Sequence, residues 1–243
     1  MTLVAAVFGG SQGIGRAVAS RFIRSGFSVA ILSRNNSKRE EAITELEKEN
    51  AYSVGIKGSQ CDVTDEKIVQ ESLKLVEETL GPLRVVVNCA GINLDRLLVQ
   101  TVPEDINSII NVNLIGSIIT SKIAARLMLK HKCGNIVNIG SIVGMKGNRG
   151  QAVYAASKAG LVGLTKSLAQ EIGSRGVRVN LVVPGIIQTG MTENMDIEQV
   201  KNQVPLSRIG APEDVAEGVF FLATSPFITG EVLIIDGGLH LNR

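Results

Sequence analysis

Apolar residues in this chain fall into two kinds of pattern that take turns from end to end. Residues 3–8 form a short continuous apolar run, and apolar-rich stretches at 27–33, 83–87, 135–139, 177–183 and 231–235 read as strands of the same kind. A short apolar run bounded by turn residues is what a strand buried on both faces requires, because helices cover both sides of a parallel sheet. Residues 52–61 give a weaker run of the same kind, for seven strands in all. Between the runs, apolar positions recur at helical spacing over residues 14–25, 37–49, from about Asp65, 103–130, 151–172 and 212–224. Strands and helices that alternate without a linker, repeat or composition shift predict one doubly wound α/β domain over residues 1–243. Its core is a seven-stranded parallel sheet flanked by helices. Residues 189–204 follow a strand end, are polar and methionine-bearing, and have little period, so they read as a mobile lid.

Composition narrows the function class. A chain of 243 residues with 44% hydrophobic content can bury a full core. A net charge of +2 gives no nucleic-acid footprint, and no run of eighteen apolar residues marks a membrane span. Cys61, Cys89 and Cys133 are odd in number and far apart, and His131 and His240 are the only histidines, so neither a disulfide framework nor a metal site is expected. The compartment is read as reducing. The first acidic residue is Glu40, preceded by Arg16, Arg21, Arg24, Arg34, Lys38 and Arg39. That suits a mitochondrial transit segment, and it equally suits a segment lying beside cofactor phosphates.

The first run leads into Gly9-Gly10-Ser11-Gln12-Gly13-Ile14-Gly15 and then a helix. Strand, glycine loop and helix form a dinucleotide cradle: glycines admit the pyrophosphate, and the helix N-terminus offers free N–H groups. The spacing G-x-x-x-G-x-G differs from the general fingerprint, and a glycine turn without a ligand is the plainer alternative. The second run ends in Ser33-Arg34-Asn35 with no carboxylate to accept from a ribose hydroxyl. A guanidinium there suits a 2′-phosphate, which favours NADP(H) over NAD(H) and singles out Arg34. Asp62 either bonds an adenine amino group or caps the helix that follows. Asn88-Cys89-Ala90-Gly91 supplies small residues over which a cofactor can lie, with Cys89 read as a tolerated small residue and not a nucleophile.

Candidate chemistry centres on Ser141, Tyr154 and Lys158. Residues four apart on a helix share a face, so Tyr154 and Lys158 point into one space. A free phenol titrates near roughly 10, and a nearby ammonium is expected to lower that value and make the tyrosine a useful acid. Ser141, just past an apolar strand, can donate to the same carbonyl oxygen. The spacing also arises by chance on exposed helices, so it gains weight only with a cofactor site and a fourth polar group. Asn113, inside an apolar helix face, is that group: it holds either a water chain to Lys158 or a plain internal hydrogen bond.

Together these segments resemble the short-chain dehydrogenase/reductase superfamily over the full length, and within it the 3-oxoacyl-[acyl-carrier-protein] reductases, animal mitochondrial members above all. The match rests on residues 6–16, 88–93, 140–148 and 228–238. The resemblance implies that Tyr154 protonates the reduced carbonyl oxygen and that Lys158 holds the nicotinamide ribose. It implies that Ser141 orients the substrate and that Asn113 completes a proton relay. It further implies cofactor contacts at Ser11, Gln12, Gly13, Ile14, Arg34, Asn35, Asp62, Asn88, Cys89, Ala90, Ile187, Gln188 and Thr189, beside Tyr154 and Lys158. Related sequences often carry a basic residue where Gln12 stands, which leaves NADPH preference on Arg34. An acidic acyl-carrier protein calls for basic residues near the pocket mouth. Lys130, Lys132, Arg175 and Arg178 are the candidates, with Arg175 in the region that matches a carrier contact; ordinary surface charge is the alternative. The expected activity is NADPH-dependent reduction of 3-oxoacyl thioesters, with a general carbonyl or quinone reductase as runner-up and a non-enzymatic scaffold disfavoured. The expected assembly is a homotetramer, or a heterotetramer with a second, NAD-linked family member, in the mitochondrial matrix or otherwise the cytoplasm. Neither nucleic acid nor membrane is expected as a partner.

Overall fold

Seven strands pair in parallel in the order β3-β2-β1-β4-β5-β6-β7. They are β1 (Val4–Phe8), β2 (Ser28–Ser33), β3 (Ile56–Gln60), β4 (Leu83–Asn88), β5 (Gly134–Ile139), β6 (Val177–Pro184) and β7 (Val232–Ile235). The computed structural model describes residues 3–193 and 195–241. The helices are α1 (Gly13–Ile23), α2 (Asn36–Lys48), α3 (Glu66–Leu80), α4 (Pro103–Ile110), α5 (Gly116–His131), α6 (Val143–Lys146), α7 (Ala152–Ile172), α8 (Ile197–Lys201) and α9 (Pro212–Thr224).

Pleating sends alternate β1 side chains to opposite layers. Ala5 and Val7 join a core with Val18 and Phe22 of α1 and Val215 and Val219 of α9. Val4, Ala6 and Phe8 join one with Leu73 of α3 and Ala124 and Met128 of α5. Chain order reverses between β1 and β4, so their carboxyl ends part and leave a crevice there, the usual ligand position in open α/β sheets.

Three predicted boundaries are corrected. The third strand begins at Ile56, not residue 52, because the Asn50 amide bonds both N–H and C=O of Val54 and holds the preceding residues in a turn. The helix after β3 is capped by Asp65, whose carboxylate accepts from the Lys67 and Ile68 N–H groups; Asp62 bonds Thr64 instead. The helix expected over 103–130 carries a wider π-turn over Asn111–Ile115 between α4 and α5. Such turns push a residue inward, and Asn113 is fully buried.

That 103–131 helix is also the one, among the described residues, long and apolar enough to cross a membrane, with mean hydropathy 1.4. It packs against the sheet and aims polar groups inward, the signature of a core helix. The acid-poor N-terminal segment builds β1, α1 and β2, and its Arg16, Arg21 and Arg24 pair with Glu45, Glu217 and Glu49.

A buried polar network ties the sheet centre to α5 and α7. Asn88 donates to Asn138 Oδ1 at 2.8 Å and to Ser121 at 3.0 Å, and accepts from Thr120 at 2.8 Å. Asn138 donates onward to Thr165 of α7 at 3.0 Å. Breaking such a network leaves desolvated groups unpaired. Asn138→Ala is therefore expected to cost about 1–3 kcal/mol, read as a lower urea midpoint at unchanged slope; an unchanged midpoint would contradict it.

Candidate active site

A cleft of about 530 Å³ opens over the carboxyl ends of the strands. One wall is the loop from β1 into α1, lined by Gly9, Ser11, Gln12, Gly13, Ile14 and Gly15. Gly13 sits at φ +52°, where side chains are strained, and a Cβ on Gly15 would lie 2.2 Å from the Gly9 carbonyl oxygen. Gln12 stands at the N-cap of α1 without capping it, so the first N–H groups of the helix face the cleft unpaired by any cap side chain. A backbone this close, with a free helix N-terminus, fits the pyrophosphate of a dinucleotide.

Arg34, Asn35 and Lys38 line the far end. Asn35 accepts from the Lys38 N–H at 3.0 Å and so caps α2, while the Lys38 ammonium donates to Gln12 Oε1 at 2.8 Å. Arg34 lies 3.9 Å from Asp62. Burial raises the Asp62 pKa, but bonds from Thr64 and the Arg34 charge outweigh it and hold the carboxyl below its usual value.

At the other end stand Ser141, Tyr154 and Lys158, on the turn after β5 and on α7. The Tyr154 and Ser141 hydroxyls both line the cleft, and Ser141 stands close enough to the phenol to draw its pKa down. Ser141 Oγ accepts from the Val143 N–H at 3.2 Å, which fixes it at the start of α6. Lys158 is 6% exposed, donates to the Ile139 carbonyl at 2.9 Å, and has its ammonium 5.7 Å from the Tyr154 ring centre. Burial drops the Lys158 pKa to about 8, an effect the nearby Cys89 thiol partly offsets. The expectation that the lysine lowers the phenol is corrected in this protein alone. Burial pushes Tyr154 upward, Ser141 pulls it down less, and Asp95 adds to the rise. The phenol therefore stays protonated at neutral pH, the form an acid needs.

Asn113 braces this end. Its amide accepts from the Ile92 N–H at 2.8 Å and donates to the Ile92 carbonyl at 2.9 Å and to Ser157 at 3.1 Å. Ser157 donates in turn to the Tyr154 carbonyl at 2.7 Å. Both amide N–H groups are used this way, so the side chain ties the loop after β4 to the tyrosine's helix. A second brace runs from Asn148 to Gln151 to Asp95, with Asn93 also donating to Asp95.

Several predicted contacts lie elsewhere. Asn88 is buried in the network above, because its amide turns into the core and away from the cleft. Asp62 and Gln188 are not among the lining residues, although Ile187 and Thr189 are; Gln188 is exposed, with its N–H on the Gly210 carbonyl. Cys89, Ala90 and Gly91 line the cleft, and burial raises the Cys89 thiol to about 12, which keeps it from acting as a nucleophile.

The basic residues expected at the mouth sit at the wrong end. Lys130 and Lys132 directly precede β5, and Arg175 precedes β6. They mark the amino edge of a sheet whose cleft is at the carboxyl edge, and β6 alone, at 8 residues and about 3.3 Å each, sets the edges roughly 25 Å apart. Arg178 donates to the carbonyls of Leu222, Ala223 and Ile228 and so ties α9 to the sheet.

From the segment over 189–204, Gly190, Met191, Thr192, Met195 and Gln203 line the cleft. Residue Asn194 of that segment lies outside the described residues. Lys38, Lys146, Gln151 and Leu239 also line the cleft and were not anticipated. Lys38 had a legible cue, since it stands one helical turn after Arg34. No cluster of metal-ligating side chains occurs among the described residues.

Comparison with known proteins gives a consistent picture. A family profile described as enoyl-(acyl carrier protein) reductase matches residues 9–240. Carbonyl reductase family member 4 of Xenopus laevis is 47% identical over 100% of both chains. The Homo sapiens 3-oxoacyl-[acyl-carrier-protein] reductase is 47% identical over 99% of each chain. The crystal structure of gox2181 superposes with a TM-score of 0.93 at 32% identity, covering 99% of this chain and 96% of that one.

The buried lysine makes a prediction. It is a cation below about pH 8 and neutral above. The kcat/KM for the dinucleotide reports free-enzyme groups, so it should fall as pH rises through that value, and Lys158→Met should lose this limb. An identical pH profile in the variant would contradict the assignment.

Proposed function

The chain belongs to the short-chain dehydrogenase/reductase family, and within it we propose that it is an NADPH-dependent reductase of 3-oxoacyl thioesters presented on an acyl-carrier protein. The observation that carries the reading is that Ser141 and Tyr154 line one cleft beside the buried Lys158, whose ammonium lies 5.7 Å from the Tyr154 ring centre. Two O–H donors in one cleft suit a carbonyl oxygen that gains negative charge as its carbon is reduced. Bound NADPH supplies the hydride. Tyr154, protonated at neutral pH, gives its proton to the carbonyl oxygen, and a secondary alcohol results. Ser141 holds that oxygen with a second hydrogen bond. Lys158 serves the ribose hydroxyls and the charge left on Tyr154 after transfer. Asn113 keeps Ile92 and Ser157, and through them Tyr154, in register.

The names borne by the relatives support the thioester substrate. The description of the matching profile points to an enoyl group instead. Paired hydroxyl donors suit a ketone oxygen and equally the thioester oxygen of a conjugated enoyl group, which gains charge as an enolate, so the choice of the ketone rests on the relatives' names. NADPH is preferred over NADH because Arg34 and Lys38 line the adenosine end and no carboxylate does. A carrier held at Arg175 would sit far from the cleft of the same chain, so that contact requires the cleft of a neighbouring subunit. The family resemblance extends the reading to a tetramer, built either of this chain alone or with a second, NAD-linked family member. Mitochondrial residence is part of the proposal; the basic residues before Glu40 support it, acting before the chain folds.

NADPH oxidation with acetoacetyl thioester on a carrier protein, compared with 9,10-phenanthrenequinone, tests the substrate class. Carrier-dependent turnover is expected. Turnover with the quinone alone would move the assignment to a general carbonyl and quinone reductase.

A further inference from the structure

We propose that Lys38 is a second cofactor-selecting residue, which together with Arg34 forms a two-cation cup for the 2′-phosphate of the adenosine ribose. The inference deepens the NADPH assignment and rests on it. Lys38 lines the same end of the cleft as Arg34, Asn35 and Gln12. Its ammonium donates to the neutral Gln12 amide at 2.8 Å, which leaves its charge unbalanced and two of its three N–H donors free. Gln12 is the N-cap of α1, so the ammonium is held at the rim of the phosphate-binding loop.

The position is pinned from both sides. Asn35 accepts from the Lys38 backbone N–H, which fixes the first turn of α2, and Gln12 anchors the tip of the side chain. Arg34 stands four residues earlier, just before the capping Asn35. The neighbouring charges are otherwise engaged. Arg39 is buried and bonded to Asn36 and Glu40, and Arg16 is paired with Glu45. Asp62 lies 3.9 Å from Arg34, with its other oxygen taken by Thr64. Ser33, where an acid would serve a ribose diol, has its hydroxyl turned to the Asn35 carbonyl at 3.3 Å.

Two cations facing a site with no lining carboxylate suit a dianionic phosphate monoester. A bare ribose diol is best served by a carboxylate, and Asp62, the acid beside Arg34, is already held by Arg34 and Thr64. The ammonium needs only to keep its Gln12 bond and turn its free donors to the phosphate.

Calorimetric titration with adenosine 2′,5′-bisphosphate and with 5′-AMP separates the possibilities without any turnover. Lys38→Met should weaken the bisphosphate about tenfold or more, the value of one charge-assisted hydrogen bond. It should leave 5′-AMP within about twofold, and Lys38→Arg should retain most of the bisphosphate affinity. Lys38 is exposed and its backbone supplies the capped N–H, so folding is not at stake. Unchanged bisphosphate binding in Lys38→Met, while wild type still prefers the bisphosphate, would overturn the role of Lys38 and spare the NADPH assignment. Equal weakening of both ligands would overturn it as well. A wild type that binds both ligands alike would overturn the NADPH assignment and this inference together.

Discussion

A lysine buried at the end of a parallel strand is the constraint on which this site depends. Lys158 is almost fully removed from water, and an ammonium there is tolerated only with partners that replace its hydration. The Ile139 carbonyl, left over where β5 stops pairing, is one such partner. What remains of the cost appears as a pKa lowered to about 8, so the group stays largely cationic at neutral pH yet is strained toward release of its proton. Much of the surrounding structure keeps it there. Gly144 lets α6 approach so closely that a Cβ would lie 2.8 Å from the Ala159 N–H group, and Gly91 leaves room beside the ammonium itself. The π-turn in the α4–α5 helix pushes Asn113 inward to clamp the β4 loop to α7.

The cleft is electrostatically divided. At one end Arg34, Lys38 and the free N-terminus of α1 await negative charge; at the other a single buried cation adjoins two hydroxyl groups. The cationic end and the hydroxyl-bearing end thus belong to one cleft but to different strand ends. The same parallel sheet orders both ends, since every strand delivers its carboxyl terminus to one edge. The consequence for the opposite edge is equally firm: residues that directly precede a strand, as Arg175 does, cannot reach the cleft of their own chain.

Much of this was legible in the sequence. Strands such as β1 and β2 are buried along their whole length and stand out as apolar runs. The edge strand β3, with exposed Lys57 and Gly58, carries no such mark, and its start was missed. The glycine loop, Arg34, Ser141, Tyr154 and Lys158 stand out in the sequence by their spacing, and the fold brings all of them to one cleft. The π-turn left no trace, because apolar residues continue at helical spacing through it. Asn88 illustrates a harder limit. A strand-end asparagine beside small residues fits a cofactor wall and a core network equally well, and only packing against Ser121 and Asn138 decides between them. The pKa of Tyr154 was misjudged because the burial of the phenol cannot be read from its spacing to a lysine.

Tyr154→Phe is the most direct test of the central claim, that the tyrosine gives the proton to a reduced ketone. NADPH affinity and the rate of acetoacetyl thioester reduction should be measured on the same preparation. Retained affinity with a rate at least ~100-fold lower is the predicted result. A variant that reduces the ketone as fast as the native protein would contradict the account, and the proton would have to come from elsewhere.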